Sequence, residues 1–218
     1  MTAWAVIVAG GRATRFGAPK QFEQLGGRAV LAWSVAAARA AVDGVVLVVP
    51  RGGHRTVDAE VSARVDVVVE GGATRSGSVR AGLAAVPPAA EVIVVHDAAR
   101  PLAGADRFEA AVAAVRAGAD GAVCAVPVSD TVKRVADGVV VETVDRAGLW
   151  AVQTPQAFSA AVLRRAHASA GEATDDAALV EAAGGRVVVV PGDPRNIKLT
   201  DRSDLVVAEA LLATLRRC

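Results

Sequence analysis

An α/β fold, a mostly parallel sheet flanked by helices with one protruding β-hairpin arm, follows from three observations on the sequence. Apolar, β-branched runs alternate with helix-like stretches from Ala3 through Gly121–Val126, the pattern of parallel strands joined by crossover helices. The first of these runs opens straight into a loop rich in glycine and arginine. Further on, Asp137-Gly138 joins two β-rich runs with no helix between them, a strong short-range hairpin signal.

Ala3–Val8 (AWAVIV) is continuously apolar, as a strand covered on both faces requires. Ala9-Gly10-Gly11, Arg12, Arg15, Gly17 and Pro19-Lys20 come next. Adjacent glycines let backbone N–H groups approach a ligand with no side chain in the way, and successive N–H groups form a concavity that binds anions. Arg12, Arg15 and Lys20 add more positive charge than a structural turn requires, so the loop is expected to hold the phosphates of a nucleotide. It is neither a Walker loop, because Lys20 follows a proline, nor a dinucleotide fingerprint, because the glycine spacing differs and Pro19 interrupts any helix. The competing reading, an ordinary crossover with surface arginines, leaves the basic triplet unexplained.

Ala29–Ala41 predicts a helix, Gly44–Val49 a second strand closed by Pro50, His54–Arg64 a helix and Val65–Val69 a short third strand. Gly71-Gly72 opens a loop before a helix at Ser76–Ala85; Glu91–Val95 is a fourth strand ending at His96-Asp97. Asp106–Ala117 reads as a helix with Asp106 as its N-cap, and Gly121–Val126 as a fifth strand. Thr131–Ala136 and Val139–Val144 form the hairpin. A lone hairpin is marginal in water, so it should pack on something, and an arm reaching to a second subunit is preferred. Ser159–Ser169 and Thr174–Ala183 are helical, with Thr174 and Asp175 available as caps; Arg186–Val190 is a strand, and Thr200-Asp201 caps a last helix, Ser203–Arg216. One domain over residues 1–218, with the arm at about 130–146, is the organisation expected.

The chain has 218 residues, 53% of them apolar, and a net charge of +1. That balance gives no reason to expect bulk binding to nucleic acid or membrane; the positive charge that matters is local. With two cysteines there is no disulfide framework. No basic region precedes the N-terminal apolar run, and no run of about 18 apolar residues could span a bilayer. A reduced, cytoplasmic setting is expected.

Asp97, just past a strand and beside a phosphate loop, is where Mg²⁺ would be held, since Mg²⁺ takes one or two carboxylates plus substrate phosphates. A helix-capping role is disfavoured by Pro101. His54, His96 and His167 are too widely spaced for a histidine metal site, Cys124 sits in an apolar run, and no Gly-x-Ser-x-Gly elbow occurs. Ser78 and Arg75 stand at a helix N-terminus after Gly71-Gly72, a favourable place for an anion. Lys198 and Arg146 are single loop cations, the first after a Pro-Gly-Asp-Pro turn and the second at the exit of the arm, where a partner chain could receive it. Thr131, Thr154 and Thr174 are loop hydroxyls whose ordinary role is capping. Cationic phosphate handling with one metal carboxylate and no covalent nucleophile suits direct nucleotidyl transfer.

Six stretches in order resemble the 2-C-methyl-D-erythritol 4-phosphate cytidylyltransferases: VAGGRATRFGAPKQF (8–22), EGGATRSGSVRAGL (70–83), VVHDAARPL (94–102), PVSDTVKRV (127–135), TVDRAGLWAVQTPQAF (143–158) and NIKLTDRSDLVVAEALL (196–212). The glycine loop is common to many sugar nucleotidyltransferases; PKQF, HDAARP and the DR…TPQ stretch are more specific. The resemblance implies a Rossmann-like nucleotidyltransferase fold and a homodimer formed through the arm. It implies transfer of CMP from CTP to methylerythritol 4-phosphate with release of pyrophosphate, a step of non-mevalonate isoprenoid synthesis. By the same resemblance Ala9, Gly10, Gly11, Gly72, Ser78 and Ala98 would lie on the nucleotide, Arg15 and Lys20 would stabilise the transition state, and Asp97 would bind Mg²⁺. Thr131 and Arg146 would reach the partner's second-substrate site, completed there by Thr154, Thr174 and Lys198. Two positions depart from the family's usual pattern, Gly10 for alanine and Ala73 for an acidic residue, and neither removes a charge assigned to catalysis. The competing readings are a ribitol 5-phosphate cytidylyltransferase, a molybdopterin nucleotidyltransferase, which HDAARP and the arm disfavour, and a nucleotide-binding subunit without catalysis.

Overall fold

A computed structural model describes residues 1–10, 20–168 and 171–215. Gly11, Arg12, Arg15, Gly17 and Pro19 of the glycine loop lie outside the described residues, as does the predicted end of the Ser159–Ser169 helix.

In chain order the elements are β1 (Ala3–Val8), β2 (Gln24–Leu25), β3 (Arg28–Ala29), α1 (Val30–Ala41), β4 (Gly44–Val49), α2 (Ala59–Ser62), β5 (Val67–Glu70), α3 (Arg75–Ala85) and β6 (Val92–Asp97). They continue with α4 (Ala105–Arg116), β7 (Gly121–Pro127), β8 (Val132–Ala136), β9 (Val139–Val144) and β10 (Trp150–Ser159). The last four are α5 (Ala160–Ala168), α6 (Asp176–Ala182), β11 (Val187–Pro191) and α7 (Arg202–Leu215). Among the described residues, seven strands form one sheet in the order β11-β7-β10-β6-β1-β4-β5. All neighbours are parallel except β10, which runs antiparallel to both β6 and β7.

Side-chain alternation along the buried strands divides the core. Ala5, Ile7, Leu47 and Val94 face α1 and α4, where Leu31, Val35, Phe108 and Val112 meet them. Val6, Val46, Val48, Ile93 and Val95 face the other way, onto Val79 of α3 and Leu163 of α5. Because both faces are covered, these strands read as unbroken apolar runs. A smaller cluster of Leu25, Leu199, Ala208 and Leu212 seats α7 beside the loop that carries Lys198.

Several expectations change. The predicted His54–Arg64 helix is a 3₁₀ turn at Gly53–Thr56 and a separate one-turn helix, started afresh where Asp58 accepts from the Val61 N–H. Asp106 is not a cap: Gly104 holds that position without a side-chain bond, and Asp106 pairs with Arg107 in the first turn. The strand predicted at Glu91–Val95 runs on, so Asp97 is its last residue. Asp175, rather than Thr174, caps α6 by accepting from the Ala178 N–H. The largest omission is β10, where Pro155 and two glutamines break the strand pattern; the register shifts between Val152 and Gln156, the kind of irregularity that admits proline inside a sheet.

The hairpin forms as expected. Asp137 (φ 48°) and Gly138 (φ 79°) both take the left-handed conformation that the tightest hairpin turn needs. β8 and β9 make their own two-stranded sheet, with Val135, Val139, Val140 and Val141 more than half exposed along it. No helix among the described residues is long and apolar enough to cross a membrane.

Candidate active site

One cavity lies at the carboxyl ends of β1, β5 and β6, where open α/β sheets place their ligands. The residues at and just after the ends of these strands form its wall, which includes Ala9, Gly10, Gly72, Asp97 and Ala98; Ser78 of α3 and two lysines from other segments, Lys20 and Lys198, complete it.

The backbone of this wall is tightly specified. The Ala9 N–H is committed to the Val48 carbonyl at 2.8 Å, and the Ala98 N–H to the Val8 carbonyl at 3.0 Å. Ser78 stands between two glycines: a Cβ on Gly71 would lie 2.7 Å from its Oγ, and one on Gly10 3.1 Å. A Cβ on Gly72 would lie 2.8 Å from the Gly77 backbone carbon, so the loop after β5 can pass the start of α3 only as glycine. The Ser78 hydroxyl donates to the Thr74 carbonyl at 2.9 Å, and Thr74 caps α3 by accepting from the Gly77 N–H.

Asp97 is the centre of the charge arrangement. Its Oδ2 accepts from Lys198 Nζ at 2.6 Å and its Oδ1 from Arg75 Nε at 3.2 Å. Burial alone would raise the Asp97 carboxyl, but the charges of Arg75 and Lys198 overcome it and hold the acid well below the usual carboxylate range. Arg75 is shifted upward in turn: burial opposes its charge, and the carboxylates of Asp176 and Asp97 more than offset that. Lys20 Nζ donates to the Leu199 carbonyl, next to Lys198, so the two lysines are tied to one loop. That loop is pinned from below, where Asn196 Nδ2 donates to the Thr154 carbonyl at 2.9 Å.

Thr154, expected on the second substrate, is buried behind Asp97 with its hydroxyl fully used. Its Oγ1 accepts from the Asp97 N–H at 3.0 Å and meets His96 Nδ1 at 3.0 Å. Burial lowers His96 to about 4, so the imidazole is neutral; it accepts from Thr154 at Nδ1 and donates from Nε2 to the Arg100 carbonyl at 3.2 Å. Thr174 is exposed on the approach to α6, while Thr131 and Arg146 are exposed on the arm, with Arg146 donating to the Ser129 carbonyl. None of the four lines the cavity. Asp176, which pairs with Arg75, escaped the sequence reading because a second acid after a capping aspartate looks like first-turn charge.

For a metal, the described residues offer no group of three or more histidine, cysteine, aspartate or glutamate side chains. A single ionised carboxylate in a cavity ringed by cations does fit Mg²⁺, which keeps few protein ligands and is held largely through phosphates. Burial raises the Cys124 thiol to about 12, which removes it as a nucleophile.

Cations gathered around an ionised carboxylate at the carboxyl ends of parallel strands suit a nucleotidyltransferase, whose substrates are phosphates. The model of the family IspD, 2-C-methyl-D-erythritol 4-phosphate cytidylyltransferase, matches residues 3–214. The chain is 48% identical to the enzyme of that name from Streptomyces coelicolor, over 97% of this chain and 85% of the other. Among solved structures, that of 2-C-methyl-D-erythritol 4-phosphate cytidylyltransferase from Thermus thermophilus superposes with a TM-score of 0.82 at 35% identity, covering 95% of this chain and 98% of that one. The 4-diphosphocytidyl-2C-methyl-D-erythritol synthase from Anaerococcus prevotii gives a TM-score of 0.84 at 28% identity, covering 97% and 98%. The chain belongs to the 2-C-methyl-D-erythritol 4-phosphate cytidylyltransferase family.

Proposed function

We propose that this cavity carries out the family's reaction, joining CMP from CTP to 2-C-methyl-D-erythritol 4-phosphate and releasing pyrophosphate. The observation that carries the reading is the meeting of Lys20, Lys198 and Arg75 around Asp97 in one cavity. The attacking oxygen belongs to a phosphate monoester, largely dianionic at neutral pH because its second pKa is about 6, so no protein base is needed. What the reaction needs is charge neutralisation and alignment. Lys20 stands where it can meet the triphosphate as negative charge shifts toward the leaving pyrophosphate. Arg15 shares that role in this reading. Lys198 serves the incoming acceptor phosphate, and Gly10, Gly11, Gly72, Ser78 and Ala98 shape the seat of the nucleoside. Asp97 holds Mg²⁺, which when bound neutralises part of the phosphate charge. Thr154 acts by fixing the backbone of Asp97, and Thr174 serves the acceptor in this reading.

The arm completes the site in a homodimer, with Thr131 and Arg146 delivered to the partner's cavity. The exposed valines of the hairpin and the exposure of Arg146 support this. A cytoplasmic setting, in keeping with the unpaired Cys124 thiol, belongs to the same reading.

Pyrophosphate release by the purified protein with Mg²⁺ and CTP tests the reading. Turnover is expected with methylerythritol 4-phosphate and not with ribitol 5-phosphate; the reverse result would replace the acceptor, and silence with both would remove catalysis. Lys20→Ala should lower kcat by roughly 10²–10³, the scale for one lost preorganised charge. A variant within a few-fold of wild type would end that role for Lys20.

A further inference from the structure

We propose that Asp176 is a positioning residue for the nucleotide site, acting through Arg75 on Asp97; this rests on the reading of the cavity given above. Asp176 opens α6, outside the cavity, yet its carboxylate is only 1% exposed. A buried carboxylate is costly unless its charge is met. His167 Nε2 lies 2.9 Å from its Oδ1, and Arg75 Nη1 lies 2.9 Å from its Oδ2. The guanidinium therefore spans two carboxylates, with Nε toward Asp97 and Nη1 toward Asp176.

That span fixes which side of Asp97 can change partners. Arg75 is 24% exposed and held from behind by Asp176, whereas Lys198 is 42% exposed and is the one cation paired with Oδ2 among the described residues. A ligand that needs a lone pair of Asp97 meets less resistance at Oδ2, and Lys198 is then released toward the phosphates. Without Asp176, Arg75 would lose its second carboxylate and could turn its whole fork onto Asp97, the bidentate pairing guanidinium favours. It could equally turn onto the triphosphate. Either movement misplaces Asp97. α6 is well placed to supply the brace, because Gln156 Nε2 of β10 donates to Asp175 Oδ2 at 2.9 Å and ties the helix start to the sheet.

A double-mutant cycle on Arg75→Ala and Asp176→Asn tests this, read both as kcat/KM and as CTP affinity by calorimetry with Mg²⁺. Asp176→Asn alone is expected to cost about 10–100-fold in kcat/KM, the scale for a group supporting a ligand-holding side chain. In the Arg75→Ala background it should cost less than about 2-fold, since the route through Arg75 is already gone. Losses that simply multiply would overturn the proposal and leave Asp176 a structural acid of α6. If Asp176→Asn does not fold, Arg75→Lys decides. One ammonium cannot span both carboxylates, so activity should stay well below wild type, and a fully active lysine variant overturns the bridge. A wild-type protein inert toward both acceptors would instead sink the reaction assigned above, and the cycle would still be read on CTP affinity.

Discussion

His96 spends the native state without a charge it would carry in water at mildly acid pH. Its imidazole packs on Phe108 with ring centroids 5.0 Å apart and is lowered from 6.5 to about 4 by burial. Between those two values the unfolded chain binds a proton that the native chain does not, so stability must fall as the pH drops through that window. The loss by pH 4 is on the order of 3 kcal/mol, from the shift alone. Thermal unfolding from pH 7 to 4 should show this slope in the wild type and a shallower one in His96→Asn; equal slopes would mean that His96 is not the group responsible. Asp97 acts with the opposite charge: held ionised, it adds stability that is kept above the ordinary carboxylate range and lost only in stronger acid. Lys20, Asp97 and Lys198, on which the proposed reaction calls, were legible in the sequence because each is a charge set beside a glycine- or proline-rich turn or at a strand end. Asp176 and the buried role of Thr154 were not, because a bond to a distant segment leaves no mark on local spacing.

At the scale of elements, α3 sets how closely the start of a helix approaches the strand ends. Its Gly82 faces the sheet, where a Cβ would come within 2.4 Å of Val6 Cγ1 and 3.0 Å of Val48 Cγ2. In an exposed helix, alanine for glycine gains about 1 kcal/mol. Here the added methyl overpacks two strands, at about 1–3 kcal/mol, and shifts Arg75 and Ser78 on the same helix. Gly82→Ala should therefore unfold at lower urea concentration than wild type; a stabilised variant would show that α3 can lift off the sheet freely. The alternation of strand and helix was readable because each buried strand is apolar along its whole length. β10 was hidden for the opposite reason: its polar middle, Gln153 to Gln156, is buried and bonded to Asp193, Asn196 and Asp175 rather than alternating toward water.

For the whole molecule, the arm decides whether the working unit is one chain or two. If Arg146 serves the partner's cavity, Arg146→Ala and Lys20→Ala homodimers should each be weak, and their mixture should recover. Random exchange gives about half mixed dimers, each with one complete site, so about a quarter of wild-type activity is expected. No recovery after subunit exchange, followed by mass spectrometry, would place Arg146 in its own chain's site or in none. The hairpin turn at Asp137-Gly138 was plain in the sequence, while the surface the arm packs on was not, because local spacing carries no record of a contact made beyond the chain.

The antiparallel β10 also has a consequence for the chain as it is made. β6 and β7 are successive strands of the main sheet in the sequence, yet each pairs with β10 rather than with the other. A chain emerging from the ribosome can assemble β5, β4, β1 and β6, but the outer edge of β6 stays bare until residues 150–159 are out. During that interval the arm has already been made and the apolar Val92–Val95 edge is open to any strand that meets it. Chains stopped inside the arm should therefore aggregate more readily than the full chain, in which β10 covers that edge, a difference visible by sedimentation.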